Sequence, residues 1–321
     1  MHKVLVTGSN GFLGKALVNQ LGKLKNHQIR CVIRSRIKAK NSEKYVLIKN
    51  IDGNTDWSNA LEAQTTVIHT AARAHVMKEN TNDQIDLYRS TNVEGTLKLA
   101  QQAAVMGVKR FIFISSIKVC GEHSKEGMAF SQHDMPNPQD AYGRSKLEAE
   151  LGLMEINKKT KMEVVIIRPP LIYGSGVKGN FSQLMKIIQR GIPLPFGSIN
   201  NKRSLIGLDN LIDLIVTCID HPNAAGQTLL ASDGQDLSTT ELLSCLAQAL
   251  DMKPRLIKIP QKLLMNLLKL LGKEDVSQRL FGSLQVDITR TRELLDWSPP
   301  FTVAECMHKA FSKEVKYDSN T

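Results

Sequence analysis

Residues 3–14 read KVLVTGSNGFLG. Val4, Leu5 and Val6 make a short unbroken apolar run that stops at a glycine, which is how a strand buried on both faces reads. The next segment, FLGKALVNQLGKL (12–24), has apolar residues at helical spacing, with Leu13, Leu17, Val18 and Leu21 on one face. Gly8, Gly11 and Gly14 sit at the junction. Gly8 permits the tight turn out of the strand, Gly11 allows close approach of the backbone to a pyrophosphate, and Gly14 lets helix and strand pack closely. A helix starting there offers unpaired N–H groups and partial positive charge to phosphates.

Further strands read outward from this junction: IRCVIR (29–34), YVLIKNI (45–51), TTVIHTAA (65–72), VKRFIFISS (108–116) and MEVVIIRPP (162–170). A long helical region runs through NVEGTLKLAQQAAVMG (92–107). Strands alternating with helices imply a parallel sheet covered on both faces, so the fold class is α/β, doubly wound and dinucleotide-binding. Beyond residue 170 the alternation loosens among Pro and Gly. The expected organisation is a dinucleotide-binding domain over 1–170 and a smaller α+β substrate lobe over 171–321, with the chain able to cross back. The leucine-rich stretch QKLLMNLLKLLGKED (261–275) is expected to be buried between lobes or subunits; binding to a membrane surface is the lesser reading.

Composition narrows the function. Lys plus Arg outnumber Asp plus Glu 42 to 31, a net charge of +11 that favours anionic ligands. Aromatic residues are 5% and no dense basic block interleaves with them, so nucleic acid is not expected as a partner. The five scattered cysteines form no CxxC pair and read as reduced, buried thiols, with no metal site. The chain opens directly on its first strand and has no apolar run of membrane-spanning length. A cytoplasmic protein without stable membrane insertion is expected.

In AYGRSK (141–146), Tyr142 and Lys146 lie one helical turn apart on one face. A phenol of ordinary pKa is a poor base at neutral pH, and a neighbouring ammonium stabilises the phenolate. Ser116, at the C-terminal end of the fifth strand, would polarise a substrate oxygen where ligands of open α/β sheets bind. At the end of the second strand, Arg34 takes the position where an acidic residue would bind the ribose of NAD. It favours NADP over NAD through the 2′-phosphate, or else it stacks on adenine or faces solvent.

Taken in order, TGSNGFLG, VIHTAA, NVEGT, FIFISSIKVCGE, YGRSK and RPPLIYG resemble the extended short-chain dehydrogenases/reductases, in the UDP-galactose 4-epimerase-like branch. The resemblance covers nearly the whole chain. It implies a Rossmann domain, a C-terminal nucleotide-sugar lobe and a catalytic Ser116, Tyr142 and Lys146. It implies NAD(P) contacts at Gly8, Gly11, Phe12, Leu13 and Gly14, at Ala71 and Ala72, at Asn92, at Ser115 and at Pro169. Asn50 and Ile51 stand where an adenine-contacting Asp is usual. For a UDP-sugar it implies Asn180 and Leu184 near the base, and Arg203 and Arg279 near the diphosphate. It also implies a homodimer through helices spanning roughly 83–106 and 142–157.

Departures fall at the sugar end. Cys120 replaces a usual tyrosine, and Lys118 replaces a small hydroxyl residue as a substrate contact or a solvated charge. Arg73 and His75 flank the position of a substrate lysine; His75 reads first as a structural hydrogen-bonder and only second as an acid. The reading placed first is a 4-ketoreductase or 4-dehydrogenase of a UDP-N-acetylhexosamine or its 6-deoxy form, serving surface polysaccharide synthesis. The alternative is a UDP-sugar 4-epimerase holding its NAD, and a remote one is a cofactor-sensing regulator without activity.

Overall fold

The computed structural model describes residues 1–34, 44–74, 82–125, 127–177 and 179–312. The opening run becomes β1 (His2–Thr7), followed by α1 (Phe12–Lys23), β2 (His27–Ile33) and β3 (Tyr45–Leu47). Then come α2 (Ser58–Leu61), β4 (Thr66–His69), α3 (Asn82–Arg89) and α4 (Gly95–Val105). A single π turn, Ser90–Glu94, joins the last two helices. The first half closes with β5 (Arg110–Ile114), α5 (Ala141–Lys159) and β6 (Glu163–Arg168).

After β6 the chain forms β7 (Leu171–Tyr173), α6 (Asn180–Gln189), β8 (Arg203–Gly207) and α7 (Leu208–Asp220). It continues through β9 (Thr228–Leu230), β10 (Asp236–Leu237), α8 (Thr239–Ala249), α9 (Gln261–Leu270), α10 (Glu274–Phe281), α11 (Thr289–Leu295) and α12 (Val303–Phe311). The large sheet has the order β3-β2-β1-β4-β5-β6-β9, and each neighbouring pair is parallel. Strand order reverses between β1 and β4, which opens the crevice where ligands of such sheets bind.

Alternation along each strand divides the core. Val4 and Val6 join Ile68, Ile112 and Val165 under α1 and α7, against Leu17, Leu21, Leu211, Leu214 and Ile215. Leu5 points the other way, with Val67, Phe111, Phe113 and Ile166, under Trp57, Leu99, Ala103 and Leu153. A second sheet, β10-β8-β7, packs with α6, α8 and α12 around Tyr173, Phe181, Leu205, Leu246 and Met307.

Two expectations change. Strand β3 is only three residues long, although the Ile48 N–H still reaches the Ile33 carbonyl at 2.9 Å. The leucine-rich helix is not buried between lobes: only Leu264 of α9 is buried, while Leu263, Leu267, Leu270 and Leu271 are exposed. Among the described residues, no helix is long and apolar enough to cross a membrane.

Candidate active site

The glycine turn forms the floor of the crevice. Gly8 adopts φ +67°, and a Cβ there would stand 2.7 Å from the Ala71 nitrogen and the Thr70 Oγ1. Only glycine lets β1 turn this close to the end of β4. A Cβ on Gly14 would meet the Gly8 carbonyl, so the third glycine holds α1 against the turn. Gly11 is the N-cap of α1 and supplies no side-chain bond; the first intrahelical bond runs from Lys15 N–H to Gly11. The amides of Phe12, Leu13 and Gly14 therefore have no acceptor within the helix. Uncapped amides and a cradle that a Cβ would fill, beside a strand-order reversal, fit the diphosphate of a dinucleotide. Arg73, expected at the sugar, has a buried Nε with no hydrogen-bond partner among the described residues.

Tyr142 and Lys146 lie in the first turns of α5. Asp140 caps that helix, its Oδ1 accepting from the Gly143 N–H at 2.7 Å. Lys146 is 2% exposed; its Nζ donates to the Ile114 carbonyl at 2.8 Å, 4.4 Å from the Phe113 ring centroid and 5.9 Å from that of Tyr142. Ile114 ends β5 and Ser116 stands two residues beyond it, so Lys146 reaches the same strand end that carries Ser116. The Ser116 Oγ accepts from the Lys118 N–H at 3.2 Å and caps the short turn Ile117–Val119.

Burial pulls the Lys146 ammonium down to about 7, with Glu150 opposing. Burial also pushes the Tyr142 phenol above its ordinary value, aided by Asp140 and by the Tyr88 ring 6.2 Å away. Burial is the largest influence on the phenol, ahead of its neighbours Asp140 and Tyr88.

Sequence reading missed the groups that hold this centre together. Glu150, one turn beyond Lys146, takes the Ser115 hydroxyl and forms a buried ion pair with Arg168, whose Nε lies 3.0 Å from Oε1. Arg168 also donates to the Cys120 sulfur at 3.4 Å, which gives the unusual cysteine a structural partner. The Ser115 side chain thus faces Glu150, and Pro169 accepts the Ile117 N–H at 2.9 Å. Asn92, expected at the cofactor, is fully buried in the π turn. Its amide binds both main-chain groups of Arg73, at 2.8 and 3.2 Å, and the Ser145 hydroxyl at 3.0 Å. It ties the loop after β4, carrying Ala71 and Ala72, to α5. Below it, His69 bridges Thr7 at 2.7 Å and Thr96 at 2.9 Å, and burial depresses its imidazole to about 3.

The sugar-side residues scatter more. Lys118 is partly exposed and ion-paired: its Nζ reaches Asp140 at 2.6 Å and Glu122 at 2.9 Å. Burial works against that ammonium, but the two carboxylates outweigh it and raise its pKa. The Arg203 guanidinium donates to the Gly282 carbonyl at 3.1 Å; burial lowers its pKa and Glu122 opposes the shift. Leu184 packs on the core of the smaller sheet. Asn180 and Arg279 fall on α6 and α10 with side chains outside the described residues, as does all of His75. Asn50 is exposed, its carbonyl accepting from Thr55 at 3.0 Å, and Ile51 packs against the core below α4. Arg34 is exposed at the end of β2.

A parallel sheet in this order, a glycine-lined crevice at its reversal, and Ser116 and Lys146 at one strand end with Tyr142 a helical turn from the lysine define a dinucleotide-dependent enzyme of the short-chain dehydrogenase/reductase type. The chain belongs to the NAD dependent epimerase/dehydratase family, whose profile matches residues 4–230. It is 48% identical over 303 residues to a UDP-glucose 4-epimerase of Vibrio cholerae, spanning 94% of this chain and 92% of that protein. Its fold matches the UDP-glucuronic acid 4-epimerase of Bacillus cereus in complex with NAD, with a TM-score of 0.76 at 22% identity over 96% and 97% of the two chains. MoeE5 in complex with UDP-glucose and NAD aligns with a TM-score of 0.75 at 22% identity, over 96% and 97%.

Proposed function

We propose that this protein is a UDP-sugar 4-epimerase working with NAD. The observation that carries the reading is the Vibrio cholerae UDP-glucose 4-epimerase, 48% identical over nearly the whole of both chains. It favours epimerisation over the ketoreductase reading that the sequence placed first. NAD is preferred to NADP because both solved structures named above hold NAD. Arg34, the residue that argued for NADP, is exposed at the end of β2.

In this reading Gly8, Gly11 and the first-turn amides of α1 hold the diphosphate, and Lys146 grips the ribose with its remaining donors. When bound, NAD would supply a hydride acceptor and donor for C4. Tyr142 takes the proton of the 4-hydroxyl as the C4 hydrogen leaves, and returns it to the 4-keto oxygen when hydride comes back on the opposite face. Ser116 orients that oxygen. The hexose must turn between the two transfers, so the grip falls on the diphosphate, where Arg203 and Arg279 are the candidates.

A homodimer through α3–α4 and α5 accompanies the reading. It is supported by exposed Ile85, Leu87 and Leu151 on those helices.

The test is to incubate the purified protein with UDP-glucose, UDP-galactose and their N-acetyl counterparts without reduced cofactor. Interconversion of C4 epimers with no net change in NADH is expected, and Tyr142→Phe should lower turnover by roughly 10²–10⁴-fold. Stoichiometric consumption of NAD(P)H with a 4-keto sugar, and no epimer formed, would restore the reductase.

A further inference from the structure

Residues 252–273, MKPRLIKIPQKLLMNLLKLLGK, contain Lys253, Arg255, Lys258, Lys262, Lys269 and Lys273, and no acidic residue. All six basic residues are exposed. Helix α9 lies within this segment and is held by one edge, Leu264 and Leu268, against Ile199, Phe196 and Phe281. Its other leucines have no such packing: Leu263 is 60% exposed, Leu267 54%, Leu270 85% and Leu271 59%. They fall at i, i+4, i+7 and i+8, which is one continuous stripe along the helix. Lys262 and Lys269, seven residues apart, form a row beside it. Single exposed leucines are ordinary, but a stripe of four rimmed by lysines marks an interaction surface.

Charge selects the occupant. A second copy docking through the same face would set the Lys262–Lys269 row and the basic flanks of the helix against their own copies, which disfavours self-association. An anionic bilayer offers acyl chains to the leucines and headgroup charge to the lysines at the depth an interfacial helix reaches. We propose that α9, with the basic segment leading into it, docks this protein peripherally on an anionic lipid bilayer. The contact is of the lying type, since α9 is only ten residues long. It has a consequence for the enzyme: α10 follows directly and ends beside Gly282, whose carbonyl holds Arg203. Docking would therefore bring Arg203, the candidate diphosphate contact, toward the membrane surface. The proposal stands independently of the sugar transformed.

The experiment is cosedimentation of the full chain with vesicles of phosphatidylcholine alone or phosphatidylcholine mixed with phosphatidylglycerol. Binding to the mixed vesicles only, weakened by salt, is expected. The double variant Lys262→Gln/Lys269→Gln should bind them about thirtyfold more weakly, at roughly a factor of five per charge. Leu267→Glu/Leu270→Glu should lose at least about tenfold while melting like the parent, since both side chains are exposed. Absence of binding to the mixed vesicles would overturn the proposal. So would binding that survives the leucine replacements. A change of oligomeric state in the leucine variant, with no vesicle binding by the parent, would overturn it too and make the face a subunit contact.

Discussion

Lys118 and Asp140 join the two sides of the reacting centre. Asp140 caps the helix of Tyr142 with one oxygen and holds Lys118, two residues past Ser116, with the other. The groups around the Tyr142 phenol are Asp140 and Lys146 on its own helix, Tyr88 from α3, and Lys118 acting through Asp140. Removing Lys118 leaves the Asp140 carboxylate uncompensated beside a phenol already pushed up. In Lys118→Met the low-pH limb of the kcat profile should therefore move to higher pH, by up to about one unit, and Lys118→Arg should restore it. The pair is partly exposed, so unfolding stability should fall by no more than about 1 kcal/mol. An unmoved pH profile would reduce the pair to a structural tie. No sequence pattern announces it, because its partners lie 22 residues apart and meet only through the fold.

At the scale of elements, the β1–turn–α1 unit was legible almost to the residue. Three glycines at fixed offsets and an unbroken apolar strand leave few alternatives, and Gly14 shows why. In Gly14→Ala the new methyl meets the Gly8 carbonyl, so α1 must move off the turn. Calorimetry should find NAD binding weakened at least about tenfold, and melting should report a loss of about 1–3 kcal/mol typical of overpacking. Parent-like NAD affinity would contradict the role given to α1. The strands from β2 to β6 were likewise visible as apolar runs. β9, only Thr228-Leu229-Leu230, was not, since three residues carry no period. Helix α9 was recognised as amphipathic, but its exposure could not be read, because periodicity does not say which apolar face finds a partner. Asn92 was expected at the cofactor; its bonds to the Arg73 main chain and to Ser145, which tie the loop after β4 to α5, form only through the fold.

Across the whole molecule, the buried polar bridges set how stability responds to pH. His69 is neutral in the fold, with its pKa pulled from 6.5 to about 3 by burial, and it joins β1, β4 and α4. Above pH 6.5 it is neutral folded or unfolded. Below that the unfolded chain takes up a proton the fold refuses, so stability falls progressively until pH approaches 3. Between about pH 7.5 and about pH 5.5 urea unfolding should lose roughly 1.4 kcal/mol more in the parent than in His69→Gln. Equal slopes would contradict a neutral histidine there. The same architecture brings β9 and α7 back onto the first sheet and its core. In a 4-epimerase, hydride leaves C4 and returns to the same carbon within one active site. The most direct test of that return uses a UDP-hexose deuterated at C4, turned over with catalytic NAD. Product inverted at C4 with the deuterium retained is the predicted result; deuterium lost to solvent, or product formed only with stoichiometric reduced cofactor, would contradict it.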